Sequence, residues 1–124
     1  MLLNDFFIIS GLQREGDSVR VQLELNAGHK IFEGHFPGQP VVPGACMLQM
    51  VKEIAEMVSG MKLRLIKADH LKFMAIVNPG DAGLLSMLCT CTVTGEAGLD
   101  VLAELFKDGL VCFKFKGRFM SREG

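Results

Sequence analysis

Three histidines are the side chains of this 124-residue chain whose unperturbed pKa lies nearest neutrality, so they are the first candidates for proton transfer. His35 stands in Gly34-His35-Phe36-Pro37-Gly38-Gln39-Pro40-Val41-Val42-Pro43-Gly44, a stretch that Pro37, Pro40 and Pro43 stiffen and that no helix can cross. A rigid loop with small residues can hold a base and let a ligand approach backbone amides. The loop leads into a helix at Gly44, whose first N–H groups, around Gly44, Ala45 and Cys46, have no partner within the helix. Such groups stabilise a carbonyl oxygen as it gains negative charge. Spacing alone leaves two readings open: an active-site loop with His35 as base, or a connection shaped by Pro and Gly in which His35 bonds only the backbone. His29 and His70, beside Lys30 and Asp69, read as surface or turn residues.

Metal and redox chemistry find less support. The four cysteines, Cys46, Cys89, Cys91 and Cys112, lie in or beside apolar runs, and Cys89-x-Cys91 lacks the paired C-x-x-C or matching histidines of a zinc site. They read as reduced core cysteines of a cytoplasmic protein. The opening MLLNDFFIISG has no basic residue ahead of its apolar run and reads as a poor secretory signal. No apolar stretch approaches the roughly 18 residues of a membrane span. Half of the chain is apolar (49%) and 22% is charged, with a net charge of −1, which fits one core-forming domain over 1–124 and gives no overall field to recruit nucleic acid. Nine Phe without Trp or Tyr supply few stacking platforms for bases.

The elements that must position these groups follow from periodicity. Ser18–Asn26 alternates, with Val19, Val21, Leu23 and Leu25 on one side, and the Gly16-Asp17 turn joins it in a hairpin to the run Phe6–Glu15. From Gly44, the sequence ACMLQMVKEIAEMVSG predicts a helix ending at Ser59-Gly60, with Gln49, Lys52, Glu53 and Glu56 as one narrow polar stripe facing solvent. So apolar a helix needs cover on nearly every side, and the covering must be a curved sheet. Strands are expected near 62–73, 84–94, 99–106 and 110–120, with Asp108-Gly109 as a two-residue hairpin turn. The fold class is α+β: a long central helix wrapped by a mostly antiparallel sheet. The methionines read chiefly as core filler. Lys114, Lys116 and Arg118 form one solvated row, with docking of an acidic partner there as the alternative.

The segment from Gly34 to Gly44 resembles the GHFPGxPxxPG signature of the beta-hydroxyacyl-[acyl-carrier-protein] dehydratases, with all eight fixed positions at their spacing. Leu71-Lys72-Phe73 through Asn78-Pro79-Gly80-Asp81 is similar to a second segment of that family, with Met74 and Asn78 off its pattern. The resemblance implies a hot-dog fold and a hydro-lyase that eliminates water from 3-hydroxyacyl thioesters in fatty-acid or polyketide-type synthesis. It implies His35 as catalytic base, the Gly44 N–H as holder of the thioester carbonyl, and the Val41 carbonyl as the group that orients the histidine. The family's second catalytic group, a carboxylate fourteen residues after the histidine, is here Gln49. An amide donates and accepts hydrogen bonds but is no acid. Glu53, one turn on, and Glu33, two residues before His35, are conceivable substitutes, each expected to face solvent instead.

The resemblance further implies a substrate delivered on acyl carrier protein or coenzyme A, no metal or redox cofactor, and a dimer whose site forms between subunits. Two alternatives stand beside the dehydratase. One is a catalytically impaired partner subunit of a hetero-oligomeric dehydratase, which Gln49 favours; the other is a hot-dog thioesterase.

Overall fold

The computed structural model describes residues 1–33, 41–80 and 84–122. Its elements are β1 (Phe7–Glu15), β2 (Ser18–Leu25), a short 3-10 turn (Lys30–Phe32), α1 (Gly44–Ser59), β3 (Leu63–Phe73), β4 (Leu85–Thr94), β5 (Gly98–Lys107) and β6 (Leu110–Ser121). Six strands make one sheet in the order β1-β2-β4-β5-β6-β3, each neighbouring pair antiparallel. The expected spans agree to within a residue or two, because the punctuation is chemically strict. Asp108 and Gly109 both have positive φ (52° and 83°), as a tight turn matched to strand twist requires. Gly60, in the left-handed region at φ 73°, ends α1 by donating its N–H to the Glu56 carbonyl.

One face of the sheet is apolar throughout. Val19, Val21 and Leu23 of β2, Leu85, Met87 and Cys89 of β4, Leu99, Val101, Ala103 and Leu105 of β5, and Phe113, Phe115 and Phe119 of β6 are all buried. Against them α1 packs Met47, Met50, Val51, Ile54 and Ala55. Burial of side chains this size is worth roughly 1.5–3 kcal/mol each, so the helix is held by its contact face and not by propensity.

Two expectations need correction. The helix is not covered on nearly every side within one chain: Met57 is exposed and Leu48 and Val58 are half-buried. Of the methionines, Met47, Met50 and Met87 are core filler, whereas Met57 and Met74 reach the surface. Among the described residues, no helix is long and apolar enough to cross a membrane.

The sheet ends at β3, an edge strand that exposes apolar side chains among charged ones (Arg64, Lys67, Asp69 and Lys72). Leu63 alone is buried on this strand, while Leu65, Ile66, Leu71 and Phe73 are exposed, continuing into Met74 and Ile76. The pairing with β6 skips Ile66 and Asp69, two bulges in one edge strand. A long edge strand with exposed apolar side chains can take cover from another strand.

Candidate functional site

The start of α1 is assembled from two segments distant in sequence. The Val42 N–H donates to the Val77 carbonyl at 2.8 Å, which brings the run before the helix alongside the run after β3. Val77 is buried there, and the Asn78 side chain closes the next turn by accepting from the Gly80 N–H at 2.8 Å. Phe73 leans over the helix start. A Cβ on Gly44 would meet its ring at 2.6 Å, so only glycine fits beneath it as the chain stands. Phe73 in turn stacks on Phe113, ring centroids 5.0 Å apart.

A bulge in β6 fixes this wall. Leu105 pairs with Phe113 and Phe106 with Val111, which leaves Cys112 as the extra residue. Its carbonyl accepts the N–H groups of both Met74 and Ala75, at 2.9 and 3.3 Å, and its thiol donates to the Leu105 carbonyl at 3.3 Å. At the helix itself the Pro43 carbonyl accepts from Cys46 and Met47. The Cys46 N–H is therefore already bonded, and the amides that precede the first helical hydrogen bond are those of Gly44 and Ala45. Ala45 is exposed and Val41 half-buried.

One turn into α1 lies the arrangement that the sequence misrepresents. Glu53 does not face solvent: it is 1% exposed, the one buried charged residue among the described residues. Its carboxylate accepts from the Leu2 N–H (2.8 and 3.0 Å to the two oxygens), the Leu3 N–H (2.8 Å) and the Gln49 Nε2 (2.8 Å). Three N–H donors satisfy a group whose unpartnered burial costs several kcal/mol. Gln49 is thus tied to a carboxylate, although it is not one. Glu33, by contrast, is exposed as expected.

The other candidates sort quickly. His29 caps the 3-10 turn, its Nδ1 accepting from the Ile31 N–H and its Nε2 lying 3.0 Å from Asp5, with its ring edge-on to Phe6. It is a turn residue, but a partly buried one. His70 is exposed on β3. Cys89 and Cys91 share a face with sulfurs 3.7 Å apart. Their mutual hydrogen bond, with burial behind it, pushes the Cys89 thiol up, and the same bond lowers that of Cys91. Among the described residues, no His, Cys, Asp or Glu cluster could hold a metal ion. In the basic row of β6, Arg118 donates to Asp100 at 2.8 Å and Lys114 lies 3.9 Å from Glu104, both acids on β5. The Arg118 hydrogen bond holds the Asp100 carboxyl below its usual range. The row is therefore largely compensated.

Comparison with known proteins gives the family. The family model described as ApeI-like, ApeI dehydratase, matches residues 12–94, from β1 through β4. The chain belongs to the ApeI-like dehydratase family.

Curated relatives agree. The chain is 32% identical over 73 residues to the 3-hydroxyacyl-[acyl-carrier-protein] dehydratase FabZ of Lactobacillus helveticus, covering 53% of this chain and 49% of that one. It is 33% identical over 73 residues to FabZ of Lactiplantibacillus plantarum, covering 53% and 50%. The chain thus spans about half the length of the curated relatives it matches. Among solved structures, the dehydratase heterocomplex ApeI:P from Xenorhabdus doucetiae superposes with a TM-score of 0.72 at 20% identity, over 91% of this chain and 96% of that one. A hypothetical thioesterase with coenzyme A from Streptococcus pneumoniae gives 0.66 at 10% identity, over 97% and 91%. These likenesses establish the hot-dog fold expected from the loop motif.

In this member of the ApeI-like family, the structure brings Gly44 and Ala45 to the helix start, Val41 just before it and Gln49 one turn beyond. His35 and Asp81 lie outside the described residues. Sequence reasoning missed Phe73 as the cover of Gly44 and Glu53 as the partner of Gln49. For Glu53 a signal existed: Gln49 and Glu53 are four residues apart, the spacing at which an amide and a carboxylate meet on a helix.

Proposed function

We propose that the chain is a subunit of a 3-hydroxyacyl-[acyl-carrier-protein] dehydratase, a hydro-lyase that converts 3-hydroxyacyl thioesters to trans-2-enoyl thioesters and water. The observation that carries this reading is the match to the ApeI-like dehydratase family over residues 12–94, which includes the loop, all of α1 and the segment that covers Gly44. In the proposed step the thioester carbonyl accepts from the Gly44 N–H, which stabilises charge gathering on that oxygen. His35, held by the Val41 carbonyl, removes the proton at C2. The C2–H electron pair becomes the double bond as the C3–O bond breaks, and the hydroxyl leaves with a proton as water. The substrate arrives as a thioester on acyl carrier protein or coenzyme A, in a cytoplasmic setting that suits four free thiols.

The leaving hydroxyl needs a proton donor, and Gln49 cannot supply the proton. This favours a second reading, in which the active form pairs two dehydratase-like chains and the partner provides the carboxylate. The ApeI:P heterocomplex is a precedent for such pairing in a chain of the same fold. The edge of β3, with Leu65, Ile66, Leu71 and Phe73 exposed, is the surface through which we propose that two sheets join. The thioesterase alternative is weaker, since its likeness is one of fold.

The deciding assay is hydration of a trans-2-enoyl pantetheine thioester, followed by loss of the conjugated enoyl absorbance, with wild type and His35→Ala. Wild-type turnover that His35→Ala abolishes supports the dehydratase. Thioester hydrolysis without hydration moves the assignment to the thioesterase. Hydration that appears only when a carboxylate-bearing second chain is added selects the heteromer.

A further inference from the structure

We infer that Glu53 is a positioning residue of the candidate site, which by fixing the Gln49 amide makes Gln49 a hydrogen-bond acceptor for a hydroxyl-bearing acyl thioester. The inference rests on the dehydratase reading and adds to it what Gln49 does. An unrestrained glutamine can present either end of its amide. Here the 2.8 Å bond from Nε2 to the Glu53 carboxylate removes that freedom, because the reverse orientation would set the amide oxygen against a carboxylate oxygen. The amide oxygen is therefore the end turned away from Glu53. Side chains on a helix lean toward its N-terminus, and Ala45, Gln49 and Glu53 form one row at spacings of four. The row passes from exposed Ala45 through half-buried Gln49 to buried Glu53. An acceptor at Gln49 thus lies on the side of the helix start, where the Gly44 amide is proposed to take the thioester carbonyl. A 3-hydroxyl donates its O–H to such an acceptor; an acyl chain without the hydroxyl gains nothing from it.

Glu53 is itself held in a way that makes the consequence calculable. One of its oxygens accepts from both Leu2 and Leu3, and the other accepts from Gln49 and again from Leu2. In Glu53→Gln the single amide oxygen takes the place serving Leu2 and Leu3, since the opposite orientation would set the NH2 against both of those N–H groups; the new NH2 then gives up the second Leu2 contact and faces Gln49. Gln49 must then turn its oxygen toward position 53 and show N–H to the substrate side. In the exchange variant Gln49→Glu/Glu53→Gln, the same NH2 donates to the new carboxylate at position 49, which again presents an acceptor.

The experiment measures the affinities of 3-hydroxybutyryl-pantetheine and butyryl-pantetheine by calorimetry for wild type, Glu53→Gln, Gln49→Met and the exchange variant, with melting temperatures alongside. Wild type is expected to favour the hydroxyacyl thioester by about tenfold, the worth of one hydrogen bond. Glu53→Gln and Gln49→Met lose that preference while affinity for the butyryl thioester stays within twofold, and the exchange variant regains it. A purely structural Glu53 would lower the melting temperature without moving the ratio. A preference that persists in Glu53→Gln, or in Gln49→Met if Glu53→Gln does not fold, overturns the inference and leaves the dehydratase reading standing. Wild type that binds neither thioester removes both.

Discussion

Placing a carboxyl at position 49 supplies the residue type that the loop-motif resemblance implies there, yet the structure predicts that it creates a conflict. Gln49→Glu sets a second carboxyl where Nε2 now lies 2.8 Å from Glu53. Two full charges at that separation repel by about 6 kcal/mol at an effective dielectric constant near 20. The folded variant avoids this by keeping one proton on the pair at neutral pH. In the unfolded chain the introduced carboxyl ionises near its ordinary value of about 4.3. Above that pH the folded state holds one more proton than the unfolded state, so the variant loses stability relative to wild type as pH rises. The slope is about 1.4 kcal/mol per pH unit, or about 2.7 kcal/mol between pH 5.5 and 7.5. Urea unfolding of both proteins at the two pH values, at one fixed protein concentration, measures it. Adding Glu53→Gln should abolish the difference. A wild-type-to-variant gap that is the same at both pH values would refute the reasoning, since it would mean that residues 49 and 53 do not share a hydrogen bond in solution.

Gly44→Ala should cost only about 1–2 kcal/mol, because the Phe73 ring 2.6 Å from the new Cβ is half-exposed and can move. Hydration turnover should nonetheless fall at least tenfold as the helix start shifts, and a variant with wild-type kcat would remove Gly44 from the site. Gly117→Ala should cost more, about 2–3 kcal/mol by thermal melting, since its Cβ would press on the Lys67 carbonyl, a backbone atom that cannot turn aside. Ile66→Lys on the exposed edge strand should shift assembly toward monomer in light scattering while leaving the helical circular dichroism intact. Replacing Lys114, Lys116 and Arg118 together by Ser should change carrier-linked turnover less than threefold, because Glu104 and Asp100 already oppose two of the three charges. A larger loss, absent with a pantetheine thioester, would make this row the carrier-docking face.

What was legible in the sequence was local. Alternation in β2 and β6, the helix from Gly44 to its left-handed Gly60 stop, and the Asp108-Gly109 turn each carry their geometry in a few adjacent residues, and the structure follows them. What was misread depended on partners far along the chain. Glu53 sits in a stripe that a helical wheel assigns to water, and only the Leu2 and Leu3 amides, some fifty residues away, make its burial tolerable. The compensation of the basic row was hidden differently. A plain two-residue hairpin would set Lys114 opposite Ala103. The bulge at Cys112 moves the register by one and delivers Glu104 to Lys114 instead. The loop motif told most about the site and the fold, although it could not show that Gln49 is bonded to a carboxylate.

The place of β3 in the sheet also governs the order in which the molecule can form. Its partner is β6, three strands later in sequence, residues 63–73 pairing with 113–121. On the ribosome α1 and β3 therefore emerge well before anything can pair with β3. Closure of a sheet through so distant a contact is slow compared with hairpin formation. Until β6 arrives, β3 has two open edges and the apolar face of α1 lacks the Phe113, Phe115 and Phe119 side of its core. That interval is when the nascent chain is most open to wrong partners, and a chain truncated before residue 110 would remain in it permanently.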